Sequence, residues 1–256
     1  MLKALKARII QGYRTGTFPK TEPVLPDRFA GRPVWDKALC TGCGKCVENC
    51  SVKAVVKNDG KVTVDTGKCI FCRDCEEKCS SGALKFSKEY RLGSMTRSNL
   101  LASDGIYEPE RPTDREFLKF CGKSLKIRQI SAGGCSACEL DFNVLGTLAW
   151  DMGRFGIKVV ASPRHADAVL VTGPVSLNMQ TALQKTYDAM GDPKLVIACG
   201  ACAISGGIYQ TSDKVCAGAE KMLPVDLYVP GCPPHPATLL EALVRFIGRR
   251  QKENKA

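Results

Sequence analysis

The residues of this chain best suited to chemistry are its fifteen cysteines, and eight of them form an internal repeat. The stretch CTGCGKCVENCSVKAV begins at Cys40 and CIFCRDCEEKCSSGAL begins at Cys69, so the copies are offset by 29 residues. Both have the spacing C-x2-C-x2-C-x3-C, in which three thiolates on one tight loop can bind three corners of a cubane. The fourth cysteine then lies on a following helical turn that faces the neighbouring site. The repeat therefore predicts two 4Fe-4S clusters that exchange their fourth ligands.

This exchange determines how the eight cysteines are shared, as in a two-cluster bacterial ferredoxin. One expected cluster takes Cys40, Cys43, Cys46 and Cys79, and the other takes Cys50, Cys69, Cys72 and Cys75. A pair of zinc knuckles is the alternative, but zinc sites usually use two CxxC pairs separated by a longer loop. Ser51 and Ser80 stand where such motifs usually carry proline. A serine can still support the turn through a hydrogen bond to the backbone, so only the cluster potential is affected by this departure.

The elements that must position the remaining cysteines lie in the second half of the chain. Apolar runs rich in β-branched residues predict strands over 125–130, 156–161, 168–173, 194–199 and 226–231. Between and after them, apolar spacings near three and four predict helices over 138–152, 175–190 and 235–250. This alternation predicts a parallel sheet covered on both faces. In the first half, AVVKNDGKVTV predicts a short hairpin between the two cysteine motifs.

Four further cysteines follow the ends of three predicted strands. Cys135 and Cys138 come after the first strand, Cys202 after the fourth and Cys232 after the fifth. Open α/β sheets bind ligands beyond the carboxyl ends of their strands, so three separate loops are expected to deliver these thiols to one edge. Cys199 forms an apparent CxxC pair with Cys202, but it falls inside the fourth strand. Position therefore favours Cys202 as the fourth ligand of a third cluster and a packed side chain for Cys199.

The remaining features bound the class of protein. Cys121 and Cys216 have no cysteine neighbour and are expected to be inert. The opening MLKALKARIIQG has no apolar core typical of a signal peptide, and no run of eighteen apolar residues predicts a membrane span. It predicts a basic amphipathic helix with Met1, Leu2, Leu5 and Ile9 on one face, suited to a membrane surface or a partner, or equally to its own domain. The net charge of +11 does not indicate nucleic-acid binding, because the basic residues are dispersed and aromatic residues make up only 7%.

At this point the sequence resembles a known family. Over roughly residues 124 to 250, GGCSACEL, GACAISGGIY and PVDLYVPGCPPHP are similar to the small subunit shared by respiratory complex I and membrane-bound, energy-converting (group 4) nickel-iron hydrogenases. The N-terminal half, including GTFPKTEP and FAGRPVWD, resembles the two-cluster ferredoxin-like subunit of the same complexes. The chain thus looks like a fusion of two subunits. In that family the cysteine directly before the A-x-S-G-G-type sequence, here Cys202, ligates the cluster, and the CxxC spacing of Cys135 and Cys138 is typical of the hydrogenase branch.

The resemblance implies a fold and a function. The expected fold class is α/β, with a flavodoxin-like parallel sheet domain (124–256) preceded by a small α+β two-cluster ferredoxin-like domain (36–88). An arm and strap over 1–35 and a linker over 89–123 complete the chain. The implied function is that of an electron-transfer subunit of an oxidoreductase complex, with three 4Fe-4S clusters and no catalytic residue of its own. A quinone-reducing complex I-like or nickel-free relative of the hydrogenases is the alternative.

The resemblance also implies partners and weaker site residues. The expected partners are a catalytic large subunit, membrane-arm subunits, and an electron carrier or electron-donating subunit such as ferredoxin or formate dehydrogenase. The chain would then lie in the cytoplasm, attached peripherally to the inner face of the cell membrane through those subunits. Glu139, Arg164 and His165 are candidates for a proton path or for hydrogen bonds that tune the proximal cluster. Structural roles for these three, and for His235, are the alternative.

Overall fold

The computed structural model describes residues 2–12, 15–104, 107–112, 119–120 and 124–248. Helix α1 spans Leu2–Gln11, as the spacing of its apolar residues predicts. None of its residues is buried, and Leu2 and Ile9 are 83% and 73% exposed. The apolar face of this helix is therefore uncovered by the described part of the chain, whereas Met1 lies outside it. Among the described residues, no helix is long and apolar enough to cross a bilayer.

The segment that follows, residues 15–32, runs over both halves of the molecule. Phe18 is buried in the core of the second half, where its ring meets that of Phe155 edge-on with centroids 6.3 Å apart. Further along, the backbone N–H of Gly31 donates to the carbonyl of Ser87 at 2.8 Å in the first half. This segment thus connects the two halves, as expected for a strap.

The two cysteine motifs fold into a small α+β unit whose elements repeat. In chain order these are β1 (Pro33–Trp35), α2 (Lys45–Glu48), β2 (Val55–Asn58), β3 (Lys61–Asp65), α3 (Asp74–Glu77) and β4 (Leu84–Phe86). β1 pairs antiparallel with β4, and β2 pairs antiparallel with β3 across an Asp59-Gly60 turn in which both residues have positive φ. This confirms the predicted hairpin between the motifs, since Asp-Gly with two positive φ angles favours a tight hairpin turn.

The 29-residue offset found in the sequence is also present in the backbone. Helices α2 and α3 begin 29 residues apart. In the ladders, the paired residues Val55 and Val64 of one hairpin correspond at the same offset to the paired residues Leu84 and Trp35 of the other ladder. The left-handed positions repeat as well, because positive φ angles occur at three equivalent pairs of residues: Gly42 and Phe71, Gly44 and Arg73, Lys53 and Gly82. The unit is therefore pseudo-twofold symmetric, and each residue of one copy has a partner 29 positions away in the other.

The second half is a five-stranded parallel sheet. Its strands are β6 (Leu125–Ser131), β7 (Ile157–Val159), β8 (Ala168–Thr172), β9 (Leu195–Cys199) and β10 (Leu227–Val229), in the spatial order β10-β9-β8-β6-β7. Every pair is parallel, and every residue of the central strands β8 and β9 is buried. All five strands lie where the apolar runs predict them. This is the strand order of flavodoxin-like sheets. All strands run in the same direction, and the order in which they are added reverses between the first and third strands, here β6 and β8.

The helices pack on the two faces of this sheet. They are α4 (Ala137–Val144), α5 (Leu177–Asp188), α6 (Gly200–Ser205) and α7 (Pro236–Phe246). One core cluster joins α4 and α7 to one face, and another joins α5 to the opposite face. Every residue of α7 from Ala237 to Phe246 is buried, which makes it the central helix of its layer. Each large apolar side chain buried here contributes about 1.5–3 kcal/mol, so the sheet supplies a rigid frame for the loops at its edge.

Two predicted boundaries are wrong. The helix predicted over 138–152 ends at Val144, and turns follow. Gly146 weakens helix propagation, and the Thr147 hydroxyl donates to the Val144 carbonyl at 2.7 Å, competing with the backbone hydrogen bonds of a longer helix. In addition, Cys202 lies in the short helix α6 directly after β9 and not in an irregular loop.

The connection between the halves is packed against both of them. Strand β5 (Leu101–Ala102) pairs with β3 and extends that hairpin to a three-stranded sheet. Ser94 exchanges backbone hydrogen bonds of 2.8 and 2.9 Å with Tyr228 of β10. Arg245, buried on α7 and paired with Glu241, donates to the Gly93 carbonyl at 2.7 Å. The segment predicted as a linker thus fastens the ferredoxin-type unit to the parallel sheet.

Candidate metal centres

The first ferredoxin-type site is a cavity beneath the first motif. It is lined by the four thiols expected to share a cluster, Cys40, Cys43, Cys46 and Cys79. Trp35 and Lys57 line it too, and the Lys57 ammonium donates to the Gly42 carbonyl at 2.7 Å. The indole Nε1 of Trp35 is buried and has no hydrogen-bond partner among the described residues. A buried donor without a partner is costly, and the sulfurs of a bound cluster would satisfy it. The residues present therefore fit an iron–sulfur cluster.

Hydrogen bonds reach the thiols of this site. The backbone N–H of Lys45 and the hydroxyl of Thr41 bond to Cys43 and lower the pKa of its thiol, and the Lys45 charge acts in the same direction. Ser81 Oγ lies 3.6 Å from Cys79 Sγ. Burial opposes ionisation of Cys79, but hydrogen bonds from Leu84 and Ser81 lower its pKa overall. Two thiolates of the first site thus have the donors that stabilise negative charge on sulfur.

The second ferredoxin-type site is deeper and less polar. Cys69 and Cys75 are buried, and burial is the main cause that raises the pKa of each thiol to about 12. Cys50 and Cys72 act electrostatically on both, which places the four expected ligands of the second cluster in one neighbourhood. The rings of Phe71 and Phe86 meet edge-on beside it, with centroids 6.0 Å apart. Iron binding by these thiols would require them to release their protons, so that loading and deprotonation would be coupled.

The third site lies at the carboxyl edge of the parallel sheet. Cys135 is in the loop after β6, Cys138 in the first turn of α4, Cys202 in α6 after β9 and Cys232 directly after β10. The loops meet beside the point between β6 and β8 where the strand order reverses, which is the usual ligand-binding place in such sheets. Burial, followed by the electrostatic effect of the other three thiols, raises the pKa of Cys202 to about 12. The structure thus brings together the four cysteines expected at the proximal site.

Two glycines leave space for cysteine sulfurs of this site, because any larger residue would place a Cβ against them. A Cβ on Gly200 would lie 2.6 Å from Cys138 Sγ, and a Cβ on Gly207 would lie 2.9 Å from Cys202 Sγ. Both residues also have positive φ, +88° and +55°, which other residues adopt only with strain. The glycines on either side of Cys202 are therefore part of the site, because they leave room for the ligands.

Cys199 is fully buried at the end of β9, and its thiol hydrogen-bonds to the thiol of Cys138. That bond lowers the pKa of Cys138 and, together with burial, raises the pKa of Cys199 well above the ordinary value. Cys138 is therefore the member of the pair that ionises first, with Cys199 donating to its sulfur. Cys199 packs in the core as predicted, and its contact with Cys138, one of the expected ligands, is an additional finding.

The other candidate residues are placed differently from one another. Glu139 is buried beside the proximal cysteines and accepts a 2.6 Å hydrogen bond from the Thr172 hydroxyl. Arg164 and His165 are exposed on a turn that precedes β8, at the amino end of that strand. The proximal cysteines lie at the opposite, carboxyl end, so the structure does not bring these two residues to them. His235 caps α7, its Nδ1 accepting from the Ala237 N–H at 3.2 Å. Burial lowers the pKa of that imidazole.

Two further cysteines, Cys121 and Cys216, are not among the twelve expected ligands. Cys216 is half-buried beside the start of α5, where its backbone N–H donates to the Val175 carbonyl at 2.9 Å and its sulfur accepts a hydrogen bond from the Gln180 amide at 2.7 Å. Cys121 lies outside the described residues.

Sequence reasoning missed Trp35, Lys57 and Ser81 as residues of the first site. They lie up to eleven positions from the nearest expected ligand of the first site, and nothing in the cysteine spacing marks them. The signal that could have found them is the repeat itself, because their partners 29 positions away are Val64, Phe86 and Val52. A polar residue opposite an apolar one in two otherwise equivalent sites indicates a functional difference.

Comparisons with known proteins match the ferredoxin-type unit and the parallel-sheet half of the chain to two different families. Residues 135–246 match the family model of the NADH ubiquinone oxidoreductase 20 kDa subunit, and residues 39–84 match a 4Fe-4S dicluster domain. The chain is 40% identical to a probable membrane-bound hydrogenase subunit of Pyrococcus furiosus, over 54% of this chain and 82% of that one.

Two other relatives match over a similar part of the chain. Formate hydrogenlyase subunit 7 of Escherichia coli is 41% identical, over 51% of each chain. An NADH-quinone oxidoreductase subunit of Phocaeicola vulgatus is 44% identical, over 47% of this chain and 66% of its own length. This chain thus spans less than two thirds of either of these two relatives.

Proposed function

Since the chain belongs to the family of the NADH ubiquinone oxidoreductase 20 kDa subunit, we propose that it relays electrons through three 4Fe-4S clusters as a subunit of a hydrogenase-type complex at a membrane. The observation that carries the proposal is the grouping of twelve cysteines into three sets of four. Two sets come from the symmetric repeat, and one comes from the carboxyl edge of the parallel sheet.

The clusters supply the redox chemistry, because a 4Fe-4S cluster accepts and releases one electron at a time. The chain supplies the ligands, their spacing, their burial and their hydrogen bonds. Under this proposal no side chain acts as a nucleophile or general base, and the catalytic centre lies on a partner chain.

Contacts between the halves support an order for the relay. The Ser205 hydroxyl on α6 donates to the Gly67 carbonyl at 3.0 Å, two residues before Cys69. The Gln210 amide donates to the Val52 carbonyl at 2.8 Å, two residues after Cys50. Both contacts join the segment that carries Cys202 to residues two positions from expected ligands of the second ferredoxin-type cluster. The second cluster would therefore lie between the first cluster and the proximal one.

The surface around the proximal site supports a large partner subunit. Cys135 and Cys232 are exposed, and Leu140 and Leu148, on and just after α4, are 64% and 69% exposed. An uncovered apolar surface beside a redox site is suited to a protein interface. We propose that a hydrogenase-type large subunit covers it and that membrane-arm subunits hold the complex at the cytoplasmic face of the membrane.

The spacing of Cys135 and Cys138 favours the hydrogenase branch. A quinone-reducing or nickel-free complex of the same family is the second candidate, favoured by the similarity to the NADH-quinone oxidoreductase subunit of Phocaeicola vulgatus. The electron donor would be a ferredoxin-like carrier or a formate dehydrogenase. The large subunit distinguishes the two candidates, because a hydrogenase requires two CxxC motifs there for nickel.

The experiment is metal and sulfide analysis of the full chain after anaerobic purification, combined with EPR of the reduced protein. Twelve irons and twelve sulfides per chain, with three spins, are expected. Eight irons, or zinc in place of iron, would overturn the three-cluster assignment. Co-purification of the large subunit with hydrogen oxidation would test the branch, and quinone reduction without hydrogen oxidation would favour the second candidate.

A further inference from the structure

The two ferredoxin-type sites are related by symmetry, so every residue near one site can be compared with its partner near the other. The backbones match in helix position, ladder register and left-handed residues. Any difference in environment therefore comes from side chains. Five pairs of positions next to the sites give the first site more polar or positive character than the second, whereas the pairs of Gly44 with Arg73 and of Asn49 with Lys78 differ in the opposite direction.

The cavity of the first site contains a donor and a cation that the second lacks. Trp35 is only 4% exposed and directs an unpartnered indole N–H to a buried position, whereas its partner is Val64. Lys57 lies over the first motif with its ammonium on the Gly42 carbonyl, whereas its partner Phe86 packs against Phe71. The first site thus has a charge and a donor where the second has hydrocarbon.

The ligands themselves show the same asymmetry. The hydroxyl of Thr41 bonds to Cys43, and its partner in the other copy is Ile70. The hydroxyl of Ser81 lies 3.6 Å from Cys79, and its partner is Val52. Hydrogen bonds to cluster and ligand sulfurs stabilise the reduced, more negative cluster and raise its potential.

Formal charge next to the ligands follows the same direction. Lys45 acts electrostatically on Cys43, whereas the equivalent residue Asp74 acts on Cys72 with opposite sign. The second motif does carry two cations that the first lacks, Arg73 in place of Gly44 and Lys78 in place of Asn49. Arg73 is paired with Glu76 at 2.7 Å, and the motif also has three carboxylates where the first has one, Glu48. Cys69 and Cys75 are buried, whereas their partners Cys40 and Cys46 are only partly buried, and burial disfavours added negative charge.

From these five pairs we infer that the cluster bound by Cys40, Cys43, Cys46 and Cys79 has the more positive reduction potential of the two ferredoxin-type clusters. The inference rests on the proposed function, because it requires both clusters to be bound. It also adds to that function. A single electron taken up by this half would reside on the first cluster. Only a stronger reductant would also reduce the second cluster, which lies next to the proximal site.

The test is a potentiometric titration of the full chain followed by EPR. Two distinct ferredoxin-type waves are expected. Lys57→Met should move the more positive wave to lower potential, and Lys57→Arg, which retains the charge, should leave it in place. Combined with Trp35→Phe, the change should reduce the ratio of reduced to oxidised first cluster about tenfold at fixed potential, which is about 59 mV for one electron.

The hairpin offers a matched control. Lys57 pairs across the ladder with Val62, which lines the same cavity, whereas Lys61 lies on the opposite face and pairs with Asp104 at 2.5 Å. Lys61→Met should therefore leave both waves in place. The reciprocal change Val52→Thr should move the more negative wave to higher potential by adding a hydroxyl beside Cys50.

The outcomes separate the inference from the function it rests on. Coincident waves in the unchanged chain, or a Lys57→Met effect on the more negative wave, would overturn the inference while leaving three clusters in place. An equal shift with Lys61→Met would overturn it as well. A chain that binds fewer than twelve irons would instead contradict the proposed function.

Discussion

The ferredoxin-type unit and the parallel sheet both gather cysteines, but they do so over different distances along the chain. In the unit, each expected site takes three cysteines from one motif, within seven residues, and a fourth from the other copy. In the sheet, the four expected ligands are spread from Cys135 to Cys232 and meet only because β6, β9 and β10 end at one edge. The first arrangement depends on local turns, and the second depends on the whole domain. Substitutions should therefore affect the two regions differently.

The largest expected effect separates two neighbouring cysteines of the sheet. Cys202→Ser should abolish or severely perturb the EPR signal of the proximal cluster, whereas Cys199→Ser should leave that cluster assembled and its signal nearly unchanged. Cys202 reaches the sheet edge among the other three thiols, and Cys199 is buried in β9. The ferredoxin-type signals serve as the internal control. Loss of the proximal signal in Cys199→Ser alone would contradict the ligand assignment.

A glycine next to these cysteines should be almost as sensitive. Gly200→Ala places a Cβ 2.6 Å from Cys138 Sγ and strains a residue with φ of +88°. A backbone strain of this kind costs about 1–3 kcal/mol. We expect about four irons fewer per chain, with both ferredoxin-type clusters retained. The matched control is Gly191→Ala, since nothing lies within 4 Å of a Cβ there. Full iron content in Gly200→Ala would refute the steric argument.

The stability of the iron-free chain should depend on pH in the alkaline range. The folded chain holds the pKa of Cys69 and Cys75 at about 12, above the ordinary thiol value, because burial favours the neutral form. This contribution to stability is fully present below pH of about 9 and is lost as the pH rises through about 12. Chemical denaturation of iron-free protein should show a falling free energy of unfolding over that range. Iron-loaded protein, whose thiolates are already bound, should not show this fall.

The smallest expected effect concerns the contact between the two regions. Gln210→Leu removes the hydrogen bond to the Val52 carbonyl and should lower the free energy of unfolding by about 1 kcal/mol. Iron content should remain unchanged, because no ligand is moved. Gln184→Leu is the control, since Gln184 bonds only within its own exposed helix face at Asp188. An equally large loss of stability in Gln184→Leu would show that the effect of Gln210→Leu does not come from the contact between the two regions.

The sequence was sufficient for features that repeat or alternate. The motif spacing predicts the symmetric unit and its hairpin, and the apolar runs predict all five parallel strands. It was insufficient where local competition decides. Gly146 and Thr147 end α4 early, and α6 is too short for apolar periodicity to reveal. The family resemblance made Arg164 and His165 candidates beside the proximal site. Only the direction of β8 places them at the other end of the sheet.

The candidate sites follow the same division. Local spacing is enough to predict ligands, because three cysteines on one turn have few other uses. The environment of those ligands depends on side chains brought in by the ladders, such as Trp35 on β1 and Lys57 on β2. These residues are distant in sequence from the thiols they approach. Pairing the two copies residue by residue recovers part of this information, since symmetry supplies the expected environment against which a difference can be read.

The packed connection between the halves has a consequence for how a cell assembles such a relay. Ser94 is hydrogen-bonded to β10, and Arg245 holds the Gly93 carbonyl, so the join is part of the fold. Where the two halves are made as separate chains, their production must be balanced, and either can be left without the other. In this chain every proximal site is synthesised together with its own pair of ferredoxin-type sites. The two halves are therefore always made in equal amounts, and their production does not have to be balanced.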